Sequence, residues 1–479
     1  MPASVPSPRS AAPSPSPSPV YDTHAVDRAF LAMERRRPDV RWDAGGIAYL
    51  SGPPPSLADL RAYVAFRLVR LPLLTSRLEG GTRRPRWRPD ADFAVDRHVH
   101  EVVAEGPEGW DAALHTALNS PFAPGAYWGV WLIHGHAAEE YAVCHRFRHA
   151  CQDGAAAATA FRAMLDGREF SARPVPEKSR PADLPRRVGT AVGLGAAFTA
   201  GALTVRRRRP SVPFLPSGER RLWRGRVPTD TLRRIGAAAG GSAHDAHLAA
   251  LAGALASWSE RSGVRLPRVT ALLPFDARRP EEEQAWGNRV FALPLELPVR
   301  GAPARGVLSG GDDAARWRLE RVTASTRKLR SGPWRQAVQD LVRWMPDRPT
   351  EWYLRRMLSP QVTDVMATSM PLADKGTLGD TQVTDVALLP LLVPGHLLGV
   401  GLSFFGDRAG VSFVTDRALP HGELLPELWE RAVGELEADG DNRPADGNRA
   451  PTPAPDTSAT GPGDPTGTTG TTGTTGSRK

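Results

Sequence analysis

The chain has 479 residues, with 61 Lys plus Arg against 52 Asp plus Glu for a net charge of +9. That length exceeds one simple core and fits two, and two cysteines, Cys144 and Cys151, cannot build a disulfide framework and fit a reducing compartment. The basic excess is almost all arginine, in clusters far apart at 35–37, 83–88 and 206–209, so it makes no continuous stripe for nucleic acid.

Residues 1–20 are rich in Pro and Ser and residues 440–479 in Pro, Thr and Gly. Such segments lack the apolar side chains that offset the entropy of ordering, and both are expected to be disordered tails. Pro and Ser interrupt the opening stretch, which therefore lacks the apolar core of a signal peptide and leads us to expect a cytoplasmic protein. The first half, 21–180, mixes helix and strand. Residues 27–35 and 56–68 have helical spacing, and Pro72 stops the second run. Residues 128–134 and 140–147 read as neighbouring strands separated by 135–139, and a helix follows over 153–165 with Asp153 as its N-cap. A side chain in the intervening loop sits at the carboxyl end of a strand, where α/β proteins commonly put chemistry.

A connector spans 181–215. Within it, residues 188–205 are apolar and flanked by arginine; their glycines and threonines favour a packed crossover helix over a membrane span. Arg206 to Arg209 reads as a solvated basic loop. The second half, 216–439, opens with a strand from Arg220 and a helix over 244–259 introduced by Ser242. Strands are expected at 269–274 and 290–299 and helices at 317–330 and 334–344, with Trp317, Trp334, Trp344 and Trp352 read as core. Residues 399–405 and 411–415 flank a turn at 406–410, and a helix follows over 422–437.

Residues 144–154, C-H-R-F-R-H-A-C-Q-D-G, are the densest chemical cluster. On one helix His145, His149 and Asp153 would share a face with metal-ligand spacing, but the strand reading of 141–147 works against this. Cys151 beside His149 is a second option, although a buried inert thiol is the commoner case. The third reading takes His149 as a general base, with Asp153 capping the helix or pairing with an arginine and Gly154 permitting a close turn.

The stretch 148–154 resembles the HHxxxDG signature of the superfamily that includes chloramphenicol acetyltransferase, non-ribosomal peptide condensation domains and the bacterial wax ester synthase/diacylglycerol acyltransferase family. Further segments are similar to that last family in the same order. They are D-x-x-F-L-x-x-E at 27–34, D-x-H-V at 96–99, the stretch 118–135, Gly287-Asn288 followed by Leu297-Pro298, and Asp416-Arg417. The resemblance spans about 21–438. It implies two chloramphenicol acetyltransferase-like subdomains of α/β class with mixed sheets and a tunnel between them. It also implies acyl transfer from acyl-CoA to a long-chain alcohol or diacylglycerol, with His149 as base and Asp153 and Gly154 structural. Asn288 would help shape the site, and His244-Asp245 stands where the family has Asn-Asp. Neither metal nor prosthetic group is expected, with acyl-CoA as co-substrate, and the partners would be lipid, including peripheral contact with a membrane or droplet surface.

Three departures stand out: Arg148 replaces the first histidine, His244 replaces asparagine, and 368–373 reads T-S-M-P-L-A in place of S-N-x-P-G-P. They motivate two rivals: the same fold acylating a hydroxyl or amine of a specialised metabolite, and a non-catalytic acyl-binding protein.

Overall fold

The computed structural model describes residues 20–81, 84–165, 214–283, 285–300, 311–327, 331–373 and 375–441, with a few isolated positions besides. The tails, the connector, its apolar run and Arg206 to Arg209 lie outside these residues but for their extreme ends.

The first-half expectations correspond to helices α1 (Ala25–Arg36), α2 (Leu57–Leu68) and α4 (Gly154–Leu165) and to strands β6 (Trp128–Ala137) and β7 (Glu140–Arg148). Ser56 caps α2 by accepting from Asp59 N, and Asp153 Oδ1 accepts from Ala156 N in the first turn of α4. β6 outruns its expected end because the ladder with β7 resumes at Ala137 after an irregularity beyond Ile133. The sequence reading did not identify strands β2 (Asp43–Ser51) and β5 (Val99–Val103) or helix α3 (Trp110–Asn119). β2 contains Asp43-Ala44-Gly45-Gly46, poor in the residues that favour strands, and it is held by pairing with β7. A small separate sheet joins β1 (Tyr21–Asp22), β3 (Ser76–Glu79) and β4 (Arg86–Pro89).

The second half contributes β8 (Arg220–Pro228), α5 (Thr229–Ala238), α6 (Ala243–Ser262), β9 (Val269–Asp276) and β10 (Val290–Leu297). Helices α7 (Gly311–Arg327), α8 (Gly332–Trp344) and α9 (Asp347–Met357) follow. The chain ends in β11 (Val365–Ala373), β12 (Thr377–Leu378), β13 (Thr381–Leu389), β14 (Leu398–Phe405), β15 (Arg408–Asp416) and α10 (Leu425–Asp441). The β14–β15 turn is shorter than expected because Arg408 to Gly410 pair with both β14 and β8. α8 buries Trp334, Val338 and Leu341, and α9 buries Tyr353, Leu354 and Met357. Those faces leave Trp344 and Trp352 outside, 42% and 39% exposed, contrary to their reading as core.

Two six-stranded mixed sheets result, ordered β12-β13-β2-β7-β6-β5 and β10-β9-β11-β14-β15-β8. β12 and β13 come from the second half yet complete the sheet of the first, so the two subdomains interlock. A buried charge cluster also ties them: Asp43 on β2 accepts from Arg146 on β7 at 2.7 Å and from Arg220 on β8 at 2.9 Å. Among the described residues no helix is long and apolar enough to cross a membrane.

Candidate active site

β7 runs through the middle of the first sheet, buried from Tyr141 to Phe147, and ends at Arg148. His149 follows at the carboxyl end of the strand. Its backbone is pinned on both sides: His149 N donates to Trp42 O at 2.8 Å, and Asn288 Nδ2 donates to His149 O at 2.7 Å. Phe30 of α1 stacks on the imidazole, with ring centroids 4.2 Å apart.

The ring lines a cavity of about 370 Å³ between the two sheets, walled by β2, β7 and α4 on one side and by β9, β10 and β11 on the other. Phe30, Phe147, Ala158, Met366 and Leu388 give it a mainly apolar lining. Burial lowers the His149 pKa below the ordinary 6.5, against the opposing pull of Asp153 and Asn288, so the imidazole is neutral near pH 7. His149 Nδ1 and Asn288 Oδ1 are both buried without a hydrogen-bond partner, while Asn288 lies close enough to favour the charged ring.

Asp153 borders the cavity, but both of its carboxylate oxygens are engaged within the protein. Its Oδ1 caps α4, and its Oδ2 accepts from Arg278 Nη1 and from Arg289 N, each at 2.8 Å. Burial alone would raise its pKa, but Arg278 and these hydrogen bonds outweigh burial and lower it. Arg278 also donates to Asp276, to the carbonyl of Ala285 and to that of Gly287. One guanidinium thus fastens the motif aspartate to the 285–289 loop that carries Asn288. Gly287 there has φ +80°, a left-handed conformation suited to glycine, and its missing Cβ leaves room for Asp27. Asp27 Oδ1 accepts from both Asn288 N and Asn288 Nδ2, at 2.7 and 2.8 Å.

The reason for Gly154 differs from the one expected. It stands in the first turn of α4 without a positive φ, and a Cβ there would lie 2.6 Å from Met370 Cε. A side chain there would displace only the flexible end of Met370 on β11, so the position asks for a small residue without demanding glycine.

His145 also lines the cavity, since it shares the inward face of β7 with Phe147. The metal reading fails on Asp153, whose carboxylate is committed to Ala156, Arg278 and Arg289. The thiol reading fails as well: Cys151 is buried, and burial pushes its pKa up, away from the thiolate. Arg148 points the other way from His149. Its guanidinium lies over the Tyr127 and Phe122 rings and 3.8 Å from Glu34, so this departure from the signature is accommodated outside the cavity.

His149, Asp153, Gly154 and Asn288 therefore come together, whereas His244 and Asp245 do not join them. Asp245 closes a capping box with Ser242 at the start of α6 and accepts from Thr326, and neither residue lines the cavity. Sequence reasoning missed Asp27, Phe30, Arg278 and Arg289 as site residues. The first two were legible in principle, since the i, i+3 spacing of Asp27 and Phe30 puts them on one helix face. No local signal marked the arginines.

Residues 24–212 match the wax ester synthase/diacylglycerol acyltransferase catalytic domain. A putative diacylglycerol O-acyltransferase of Mycobacterium tuberculosis is 27% identical over 406 residues, covering 74% of this chain and 79% of the relative. The wax ester synthase/diacylglycerol acyltransferase of Marinobacter aquaeolei superposes with a TM-score of 0.60 at 16% identity, covering 88% of this chain and all (100%) of that one. The first condensation domain of the calcium-dependent antibiotic synthetase gives 0.60 at 17% identity, covering 89% and 98%. The trichothecene 15-O-acetyltransferase of Fusarium sporotrichioides gives 0.63 at 13% identity, covering 88% and 95%. At such identities the superpositions show the fold, and it is the shared α/β architecture of chloramphenicol acetyltransferase-like proteins. In its matched catalytic-domain segment, its relatives and its fold, the chain is similar to the wax ester synthase/diacylglycerol acyltransferase family.

Proposed function

We propose that this protein transfers a fatty acyl group from acyl-CoA to the hydroxyl of a long-chain alcohol or diacylglycerol, with His149 as the general base. The observation that carries this reading is a neutral imidazole on the wall of an apolar cavity, fixed by its backbone and by a stacked phenylalanine. Asn288 Oδ1 and His149 Nδ1 lack other partners, and a hydrogen bond between them leaves Nε2 to take the acceptor's proton. The alkoxide attacks the thioester carbonyl, the C–S bond of the resulting adduct breaks, and the imidazolium returns the proton to the departing thiolate. Asp153 holds the loop and stays out of the chemistry.

The acceptors are insoluble in water, so the protein meets them at a membrane or droplet surface from the cytoplasmic side. Recovery of all the protein in the supernatant after centrifugation with lipid vesicles would overturn that part.

The decisive experiment incubates purified protein with palmitoyl-CoA and either hexadecanol or diacylglycerol, and measures released thiol and extracted ester. A folded His149→Ala variant is expected to lose activity by a factor on the order of 10²–10⁴. The acid limb of the wild-type rate profile should fall below pH 6.5, since burial depresses the His149 pKa from that value. Ester formation that survives His149→Ala sinks the assignment of the base.

A further inference from the structure

A second cavity, of about 760 Å³, lies behind the His149 loop and shares no lining residue with the first. The two meet at Asn288, which lines the second cavity and donates to the carbonyl of His149. Their characters are opposite. The second is surrounded by six arginines, Arg28, Arg84, Arg86, Arg289, Arg343 and Arg348, against three carboxylates, Asp22, Glu282 and Asp347. Burial and the neighbouring arginines lower the pKa of His24 to about 3, so this further lining residue is neutral and adds no charge.

The carboxylates are already engaged. Asp347 accepts from Arg28, Asp22 pairs with Arg86 at 2.7 Å, and Glu282 serves Arg289 at 2.9 Å and Arg343 at 3.7 Å. Arg84 and Arg348 have no ion pair or hydrogen bond with the described residues. Arg289 is only 9% exposed, and its Nε is buried without a partner. The neutral His24 ring lies 3.2 Å from one of its Nη atoms and helps orient the guanidinium. Permanent cations in excess, one of them built into the floor, mark a place for a multiply charged anion rather than for an uncharged lipid.

We infer that this arginine-lined cleft binds the phosphate groups of the acyl-CoA donor, leaving the apolar cavity to the acyl and acceptor chains. The inference rests on the acyl-CoA reading above and assigns one side of the His149 loop to the donor's nucleotide. Coenzyme A carries a diphosphate and a 3′-phosphate. The long-chain alcohol and diacylglycerol carry no charge and gain nothing from arginine. Planar guanidinium donors suit phosphate oxygens, and the cleft borders the His149 loop through Asn288.

The test uses the full chain and an Arg84→Ser/Arg348→Ser variant. Because neither arginine pairs with a carboxylate, their removal strands no buried charge. Calorimetry measures binding of CoA and of 3′-dephospho-CoA at two salt concentrations, alongside the KM for palmitoyl-CoA and for acceptor. Loss of two charge-assisted phosphate contacts should weaken CoA binding about tenfold or more and flatten its salt dependence. The KM for palmitoyl-CoA should rise with it, while the KM for acceptor stays where it was. Equal CoA binding and equal salt dependence in wild type and variant overturn the cleft assignment while leaving the acyl-CoA reading in place. Failure of wild-type protein to bind CoA or to release thiol from palmitoyl-CoA overturns both. A variant that loses binding only to phosphatidylglycerol vesicles would make the cleft a lipid headgroup site and also overturn the proposal.

Discussion

Asp43 and Asp153 are both fully buried carboxylates facing arginine, yet their partners differ in kind. Asp43 is approached by two guanidinium groups, Arg146 and Arg220, carried by strands of different sheets. Asp153 takes one guanidinium and two backbone amides, and its arginine has an acid and two carbonyls as further acceptors. The first cluster holds sheet to sheet. The second holds a loop against a helix start and so sets the position of Asn288 and His149. One kind of interaction thus carries stability in one place and site geometry in the other, according to what remains unpaired when it is broken.

The largest expected effect is at Asp43. Asp43→Ala leaves two permanent cations facing each other in the interior, and should cost about 3–5 kcal/mol in denaturant unfolding, with activity lost only as the fold is lost. A cost below about 1 kcal/mol would break the distinction between the clusters.

Arg278→Met should act in the opposite proportion. The loop bearing Asn288 loses its anchor, so kcat is expected to fall about 10²-fold in a protein that still unfolds cooperatively, because small displacements of a catalytic group carry costs of that size. Equal losses of stability and rate relative to Asp43→Ala would erase the difference.

Acid unfolding sharpens the comparison further. Burial alone would raise the Asp43 pKa, but Arg146 and Arg220 outweigh it and hold the carboxyl at about 2, below the ordinary 3.8. That contribution is present above pH 3.8 and is lost as the pH falls through 2, and it amounts to about 2 kcal/mol. Asp27 works in the other sense. Burial raises its carboxyl to about 6, so stability from this group falls as the pH rises from 3.8 to 6. Stability curves for wild type and Asp43→Asn should therefore stay apart by a constant offset above about pH 4 and converge as the pH falls from there toward 2.

Arg148→His, which restores the first histidine of the signature, should be the mildest change. The residue is partly exposed on the far side of β7, so a stability shift within about 0.5 kcal/mol and an unchanged rate are expected. A large gain in rate would show that Arg148 reaches the site.

Much of the cavity's first wall was legible in the sequence. The strand, loop and helix around His149 follow from apolar strand runs, an Asp N-cap and an alanine-rich continuation, and all of those signals are local. The opposite wall was less so. β11 was not identified as a strand, and Met370 was seen only as a departure from a family pattern, although its Cε packs against the Gly154 position. Asn288 was picked out from a short Gly-Asn element, but its contacts with Asp27 and the His149 carbonyl span separations of 261 and 139 residues.

The sequence by itself determined the class of fold, most of the helices, the position of His149 at a strand's end and the aspartate that caps the next helix. These depend on periodicity and on contacts a few residues apart, which a linear reading can follow. Only the tertiary structure decided which arginine would hold Asp153, that strands from the second half would complete the first sheet, and that an apolar chamber and a cationic cleft would meet behind one histidine. Those outcomes depend on groups brought together from distant parts of the chain, where burial rather than spacing selects the partner.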